Sequence, residues 1–172
     1  MFIVGTNSYV SVDEADAYIT ANYEATNEAR VKWEGLSDTV KEKYLNRATL
    51  QIDNLIIVGR KVDITQTLEF PRAIPTKYST TNDPLKGSFV SGYFVQSEVP
   101  EEVKSSEIEQ AVTLSLYDGE NLSKRQKLAN DGVSQFSLGS LSETIARSSR
   151  RKLRSDYAME MMRPYLLGGV SI

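Results

Sequence analysis

The stretch GRKVDITQTLEFPR, residues 59–72, decides how the two halves of this chain are joined. It begins with a glycine, carries the basic residues Arg60, Lys61 and Arg72, and shows no hydrophobic period, so its pattern predicts neither a helix nor a long strand. Three uses fit such a stretch: a loop that binds a charged ligand, a catalytic loop, or a stiff connector between helices. The rest of the chain has to distinguish between them.

Helices are predicted on both sides of this stretch from start signals and apolar spacing. Ser11 and Glu14 form a capping-box pattern, and Pro100 stands at the start of another helix with acidic residues directly behind it. Apolar residues at three- and four-residue spacing support each helix. The predicted helices span about 12–23, 37–55, 100–117 and 148–162.

Two β elements are predicted outside the helices. A run that mixes β-forming and aromatic residues with two glycines predicts a short hairpin at 87–95, within an insertion at about 76–96. A second, weakly charged run at 133–142 predicts an exposed strand, with residues 124–129 as its candidate partner. The expected fold is mainly α: a small helical bundle with a long loop and hairpin insertion, a short exposed β element, and a C-terminal helix plus tail. The expected organisation is a core of 1–146, including a β element at about 124–142, and a C-terminal segment of 147–172.

Composition narrows the classes of function. The chain has 172 residues and a formal charge of -3, so binding to nucleic acid would need a local basic patch. It has neither cysteine nor histidine, which removes thiol nucleophiles, zinc-thiolate sites and the usual general base of hydrolases. No run of apolar residues reaches membrane length. We therefore expect a protein that is not an enzyme and that uses no cofactor or metal.

Charged groups on the predicted helices are the remaining candidates. The carboxylates of Glu107 and Glu109 are predicted to lie on a solvated helix face, and Arg47 and Asp53 are predicted to be surface charges. The basic run at 147–154 places several arginines on one side of a helix. This side can contact DNA, remain solvated, or pair with acidic residues of the same or a neighbouring chain. The candidates for inter-subunit or DNA contact are Arg147, Arg150, Arg151, Lys152, Arg154, Glu101 and Glu102.

A set of short motifs in fixed order gives the chain a family resemblance. These motifs are YVSVDEADAY (9–18), LNRATLQIDNL (45–55), GRK with Gln66 and LEFPR (59–72), VPEEVKSSEIEQAV (99–112) and MRPYLLGG (162–169). Together they resemble a family of tailed-phage and prophage head-tail connectors, also called adaptor or head-completion proteins. The family often carries the label of a DnaT-like single-stranded-DNA-binding protein.

The resemblance implies a structural role in the virion. A connector of this kind forms a dodecameric ring beneath the portal protein, extends the DNA channel and links the capsid to a neck or tail component. It would be found in the virion neck, and in the host cytoplasm during assembly, and double-stranded DNA would pass it without sequence-specific contact. The implied portal-docking residues are Arg163, Pro164, Tyr165, Leu166, Leu167, Gly168, Gly169, Val170 and Ile172. The alternative is a single-stranded-DNA-binding protein of phage replication, as the label states.

Under the resemblance, residues 59–72 are interpreted as a packed connector. Leu68 and Phe70 would return apolar groups to the core, and the three basic residues would pair with carboxylates within or between subunits. The alternative interpretation, in which these bases grip DNA, stays open. The connector motif consists of Gly59, Arg60, Phe70, Pro71 and Arg72.

Overall fold

Residues 1–78, 87–117, 135–138, 141–144 and 153–167 are described by the structure, which is a computed structural model. The helices of this part of the chain are α1 (Val12–Asn22), α2 (Glu28–Glu34), α3 (Asp38–Asp53), α4 (Glu101–Tyr117) and α5 (Asp156–Met162). The strands are β1 (Arg60–Lys61), β2 (Arg72–Pro75), β3 (Gly87–Val90), β4 (Tyr93–Gln96), β5 (Gln135–Leu138) and β6 (Leu141–Thr144).

The prediction of a mainly α bundle is wrong, because the fold combines the helices with a four-stranded antiparallel sheet. The strand order in this sheet is β1-β2-β4-β3. Strand β1 lies near the start of residues 59–72 and β2 begins at their last residue, so this stretch connects two adjacent strands of the sheet. Strands β1 and β2 have two and four residues, which is too short for an alternating pattern to be recognised in the sequence. Only their hydrogen-bonded pairing identifies them as strands.

Helix α1 begins as its sequence predicts. The Ser11 hydroxyl accepts a hydrogen bond from the Glu14 amide (3.1 Å), and the Glu14 carboxylate accepts one from the Ser11 amide (2.7 Å). This capping box is confirmed, and it satisfies amides that have no partner inside the helix. Ala15 and Ile19 then carry the buried side of the helix.

Helix α2 was not predicted, and it brings the tryptophan into the core. Asn27 caps it by accepting from the Ala29 amide at 2.9 Å. The Trp33 side chain is fully buried and donates its indole N–H to Asp16 of α1 (2.7 Å). The Lys41 ammonium of α3 pairs with the same carboxylate at 2.8 Å. The Asp16 carboxylate therefore joins three helices. Helix α2 has only seven residues and depends on such tertiary contacts, because a helix this short is not stable alone.

Helix α4 is the central helix, and it contacts α1, α2, α3 and α5. The prediction that the carboxylates of Glu107 and Glu109 lie on a solvated face is wrong, because both are buried. The Glu109 carboxylate accepts hydrogen bonds from the hydroxyls of Tyr18 (3.0 Å) and Tyr23 (2.6 Å). Glu109 is paired with tyrosine hydroxyls and not with a basic residue nearby in the sequence. Its burial therefore cannot be recognised from a local sequence pattern.

The Glu107 carboxylate joins the N-terminal segment to α3 and α4. It accepts from the Ser8 hydroxyl (2.6 Å), the Tyr9 amide (2.8 Å) and the Thr49 hydroxyl (2.8 Å). Burial is the largest influence on this group and raises the pKa of Glu107 to about 8, although the three hydrogen bonds lower it. Both hydroxyls also lie within hydrogen-bond distance of backbone carbonyls. A neutral Glu107 carboxyl can therefore donate to one of these hydroxyls, while the same hydroxyl donates to the backbone carbonyl beside it.

Two further elements differ from their predictions. The residues predicted as one strand at 133–142 contain β5 and the start of β6, and these two strands pair with each other. Residues 124–129, the predicted partner, lie outside the described part of the chain. The last helix was predicted to begin at about residue 148, whereas α5 begins at Asp156. Ser155 sets this start, because its hydroxyl accepts from the Ala158 amide at 3.0 Å. Residues 148–152 lie outside the described part of the chain.

Phe70 connects the N-terminal and C-terminal segments in the core. Its ring packs edge-on against Tyr9 (centroids 6.1 Å apart) and against Tyr165 (5.3 Å). The C-terminal segment is also held by its backbone: the Val58 amide donates to the Tyr165 carbonyl (2.8 Å), and the Leu167 amide donates to the Ile56 carbonyl (2.9 Å). Leu68 and Phe70 are buried, as the connector interpretation requires.

Gly59 allows two backbone segments to approach closely. It adopts φ = +82°, and a Cβ atom built on it would lie 2.2 Å from the Ala73 carbonyl oxygen of β2. Gly92, in the turn between β3 and β4, adopts φ = +81° but would meet nothing within 4 Å. The two glycines therefore share the conformational requirement but not the steric one.

Substituting these glycines separates the two requirements. We expect Gly92→Ala to lower the free energy of unfolding by about 1 kcal/mol, the cost of a left-handed backbone for a residue with a Cβ. We expect Gly59→Ala to cost about 2–5 kcal/mol, because the clash with β2 is added to that cost. Urea denaturation of both variants tests this difference. Equal losses in the two variants would contradict the close approach of Gly59 to β2.

Glu107 makes stability depend on pH. A carboxyl whose pKa is raised from 4.5 to about 8 on folding stabilises the protein fully below the lower value and loses that contribution as the pH rises to the higher one. We expect the free energy of unfolding to fall by about 2 kcal/mol between about pH 6.5 and 9. Burial also raises the pKa of Asp53, to about 6, so most of its titration lies below this interval.

The Glu107→Gln variant tests this dependence, because an amide keeps the shape of a neutral carboxyl and does not titrate. We expect its stability to be nearly constant over the same pH interval, as measured by urea denaturation. Glu101→Gln, at an exposed position of the same helix, is the control and should keep the wild-type fall. A Glu107→Gln variant with the wild-type fall would show that another group causes it.

Candidate nucleic-acid interface

Antiparallel pairing sorts the side chains of the four-stranded sheet into two faces. Directly paired residues point to the same face, which places Arg60, Ala73, Val95 and Ser88 together across the four strands. Tyr93 and its partners Pro75 and Val90 lie on the same face. We call this the outer face. The opposite face carries Ile74 and Phe94, which are buried.

A basic group and an aromatic ring are stacked on the outer face. The guanidinium carbon of Arg60 lies 5.0 Å from the centroid of the Tyr93 ring, a cation-π arrangement between the first and third strands in the sheet order. Arg60 is exposed and Tyr93 is half-buried. Because Arg60 is exposed, its planar, positively charged guanidinium remains accessible to a ligand.

A groove of about 580 Å³ runs along this face beside Arg60. Ala73 and Val95 contribute from the sheet, and Val62 and Ile64 from the chain that follows β1. Lys61 also lines the groove, but its ammonium is held by the Thr67 carbonyl (2.9 Å) and by Glu69 (3.4 Å). Arg60 is therefore the cation through which this groove can bind an anionic group.

The Arg72 guanidinium fixes the backbone that carries Arg60. It is nearly fully buried and donates to the carbonyls of Val58 (2.8 Å), Gly59 (2.6 Å) and Ile57 (3.4 Å). It also donates to the carbonyl of Glu69 (3.2 Å) and pairs with the Glu69 carboxylate. Five N–H donors in a rigid fork are needed for this set of contacts, and only arginine supplies them.

The connector-motif residues thus have separate places. Arg72 and Phe70 are buried, Gly59 contacts β2, and Pro71 follows a cis peptide bond. Arg60 lies on the outer face. Of the basic residues predicted to pair with carboxylates, Lys61 and Arg72 both pair with Glu69.

The predicted contact residues on the helices are only partly described. Arg147, Arg150, Arg151 and Lys152 lie outside the described residues, whereas Arg154 is exposed with its guanidinium 6.0 Å from the Tyr117 ring. Glu101 pairs with Lys104 (2.8 Å), and Glu102 accepts from the Tyr165 hydroxyl (3.2 Å). Neither acidic residue is brought near the basic run by any described contact.

The predicted docking tail is partly built into the fold. Tyr165 is buried against Phe70, and Leu166 forms a β-bridge with Ile57. Arg163, Pro164 and Leu167 are exposed. Gly168, Gly169, Val170 and Ile172 lie outside the described residues.

Sequence reasoning missed the groove on the outer face. It identified Tyr93 only as an aromatic residue of a hairpin, and it gave no role to Val62 or Ile64. The available signal was the combination of a glycine-led basic pair with an aromatic hairpin farther along the chain. The register that brings Arg60 to Tyr93 depends on β2, which the sequence did not reveal as a strand.

Within the described ranges, no group of three or more His, Cys, Asp or Glu side chains is placed to hold a metal ion. Among the helices in those ranges, none is long and apolar enough to span a membrane.

Comparison with known proteins identifies a family. The family model described as "Putative DnaT-like ssDNA binding protein" matches residues 2–172. Since the match covers nearly the whole chain, the chain belongs to this family. No curated protein and no solved structure matches the chain.

The assignment to head-tail connectors is therefore wrong. The description of the matching family points to single-stranded-DNA binding, which was the alternative function. The dodecameric ring beneath a portal, the virion neck and the role in head completion depended on the connector assignment and have no support from the family match. The connector interpretation rested on motif order, which reflects common ancestry but does not specify what a family binds.

Substitution of Arg72 tests whether its hydrogen bonds to residues 57–59 hold the outer face in place. We expect Arg72→Lys to lower the free energy of unfolding by about 3 kcal/mol, because an ammonium has too few donors for the carbonyls and leaves buried acceptors unpaired. The control is Arg163→Lys, at a half-exposed arginine beside Glu160, which should change stability by less than about 0.5 kcal/mol. Chemical denaturation measures both. A tolerated Arg72→Lys would mean that the loop is held without this fork.

Proposed function

We propose that this protein binds single-stranded DNA through the outer face of its four-stranded sheet. The observation that carries the proposal is the Arg60 guanidinium stacked on the Tyr93 ring, exposed at the side of the groove. The family description supports the same function. Single-strand binders combine a cation for the phosphates with flat groups on which bases stack, and Arg60 supplies both.

The charge of the chain predicts the character of this binding. A formal charge of -3 gives no general attraction to a polyanion, so affinity has to come from short-range contacts at the outer face. One phosphate contact to a single strand contributes a slope of about -0.7 in a plot of log affinity against log salt. We therefore expect a shallow salt dependence with a large contribution from stacking.

Arg60→Ala tests the proposal. We expect about tenfold weaker binding to a labelled oligothymidylate, measured by fluorescence anisotropy, and a salt slope smaller by about 0.7. The matched control is Lys43→Ala, which removes an exposed positive charge from α3 and should leave both quantities nearly unchanged. Tyr93→Phe should keep binding, because the ring that supports the guanidinium remains.

Two outcomes would contradict the proposal. The wild-type protein could show no binding to the oligonucleotide at low salt, which would exclude the function itself. Alternatively, Arg150→Ala with Arg151→Ala could abolish binding while Arg60→Ala has no effect. That result would move the interface from the outer face to the basic run at 147–154.

A further inference from the structure

The groove beside Arg60 has a composition that binding of phosphates alone does not explain. Its side chains from the sheet, Ala73 and Val95, are apolar, and so are Val62 and Ile64 on its other side. Its volume of about 580 Å³ lies within the range of about 300–1,000 Å³ that is typical of pockets for small molecules. A site for a phosphate chain alone would instead be lined by donors.

Ile64 is the most unusual of these side chains. It is 98% exposed and Val62 is 43% exposed, so Ile64 contributes nothing to the core and Val62 contributes only in part. Removing an exposed aliphatic side chain from water is favourable, and this gain remains available to a ligand.

The turn that presents Ile64 is held in place before any ligand arrives. The Asp63 carboxylate accepts from the Thr65 amide (2.8 Å), and the Gln66 side chain donates to the carbonyls of Leu68 (2.9 Å) and Pro71 (3.0 Å). The Val62 amide donates to the Pro71 carbonyl at 3.3 Å. A side chain on such a turn loses little conformational entropy when a ligand covers it.

We propose that this groove holds one unpaired nucleobase, inserted between Ile64 and Val62 on one side and the sheet on the other. The adjoining phosphate lies at Arg60. This subsite rests on the proposed function and deepens it, because it makes the protein recognise the absence of base pairing as well as negative charge. Bases that leave a stack are commonly held between aromatic or apolar side chains in this way.

The chemistry of the groove defines which strands it accepts. Its apolar side chains offer no hydrogen-bond donors or acceptors to a base, so thymine and adenine should bind with similar affinity. A base inside a duplex is stacked and paired, and it cannot enter without the cost of unstacking. Duplex DNA of the same length should therefore bind more weakly than the single strand.

The test combines base removal with a variant of the apolar side of the groove. A set of oligothymidylates, each with one abasic site and just long enough to cover the outer face, is titrated against the wild-type protein and Ile64→Ser. We expect removal of the base at one position to weaken wild-type binding about tenfold. Ile64→Ser should bind the intact strand about tenfold more weakly and show no further loss at that position. Its salt slope should be unchanged, because no phosphate contact is removed.

The control is Val31→Ser, at a 56% exposed aliphatic residue of α2 outside the groove, which should behave as wild type. Thermal melting should show that both variants stay folded, since neither side chain is in the core. Salt-sensitive binding that is equal for intact and abasic strands, or equal for duplex and single strand, would overturn the base subsite and leave the proposed function standing. Absence of any binding by the wild-type protein would overturn both.

Discussion

The buried Arg72 guanidinium is the interaction on which the arrangement of the outer face depends. The guanidinium donates to the carbonyls of residues 57–59 and to both the carbonyl and the carboxylate of Glu69. The backbone amide of Arg72 donates to the Gln96 side chain (2.8 Å). The side chain of Arg72 thus ties the entry of the 59–72 stretch to its exit, and its backbone amide ties that exit to β4. Strand β1 has only two residues and could not hold its register alone. The position of Arg60 over Tyr93 is therefore set by a buried residue that is not on the outer face.

The function proposed for the outer face runs against the overall charge of the chain. A protein with a net negative charge cannot collect a polyanion from a distance, so it has to bind by shape and stacking at short range. Arg60 serves this purpose better than lysine would, because a guanidinium is planar and is weakly hydrated. Lys61 adds little positive charge to the groove, because its ammonium pairs with Glu69. The apolar side chains therefore form most of the groove surface.

The sequence allowed prediction of features that depend on neighbouring residues. The capping box of α1 is local, and so is the turn at Gly92 that joins β3 to β4. Features that depend on distant partners could not be predicted. Glu107 looks like any helix-surface acid until Ser8, Tyr9 and Thr49 are placed around it. The groove was missed for the same reason: Ile64 and Val95 are 31 positions apart, and only the register of β1, β2 and β4 brings their segments together.

The hydrogen bonds of Glu107 have a consequence for synthesis of the chain. Its partners Ser8 and Tyr9 precede it by 99 and 98 positions, so they leave the ribosome long before it does. At a synthesis rate of about 5–20 residues per second, the N-terminal segment waits on the order of 5–20 seconds for its partner. Helices α1 to α3 must pass this interval without α4, the helix against which each of them packs. The apolar side chains that pack against α4 have no partner in that helix during this time, so the core of α1 to α3 is completed only after α4 has been made.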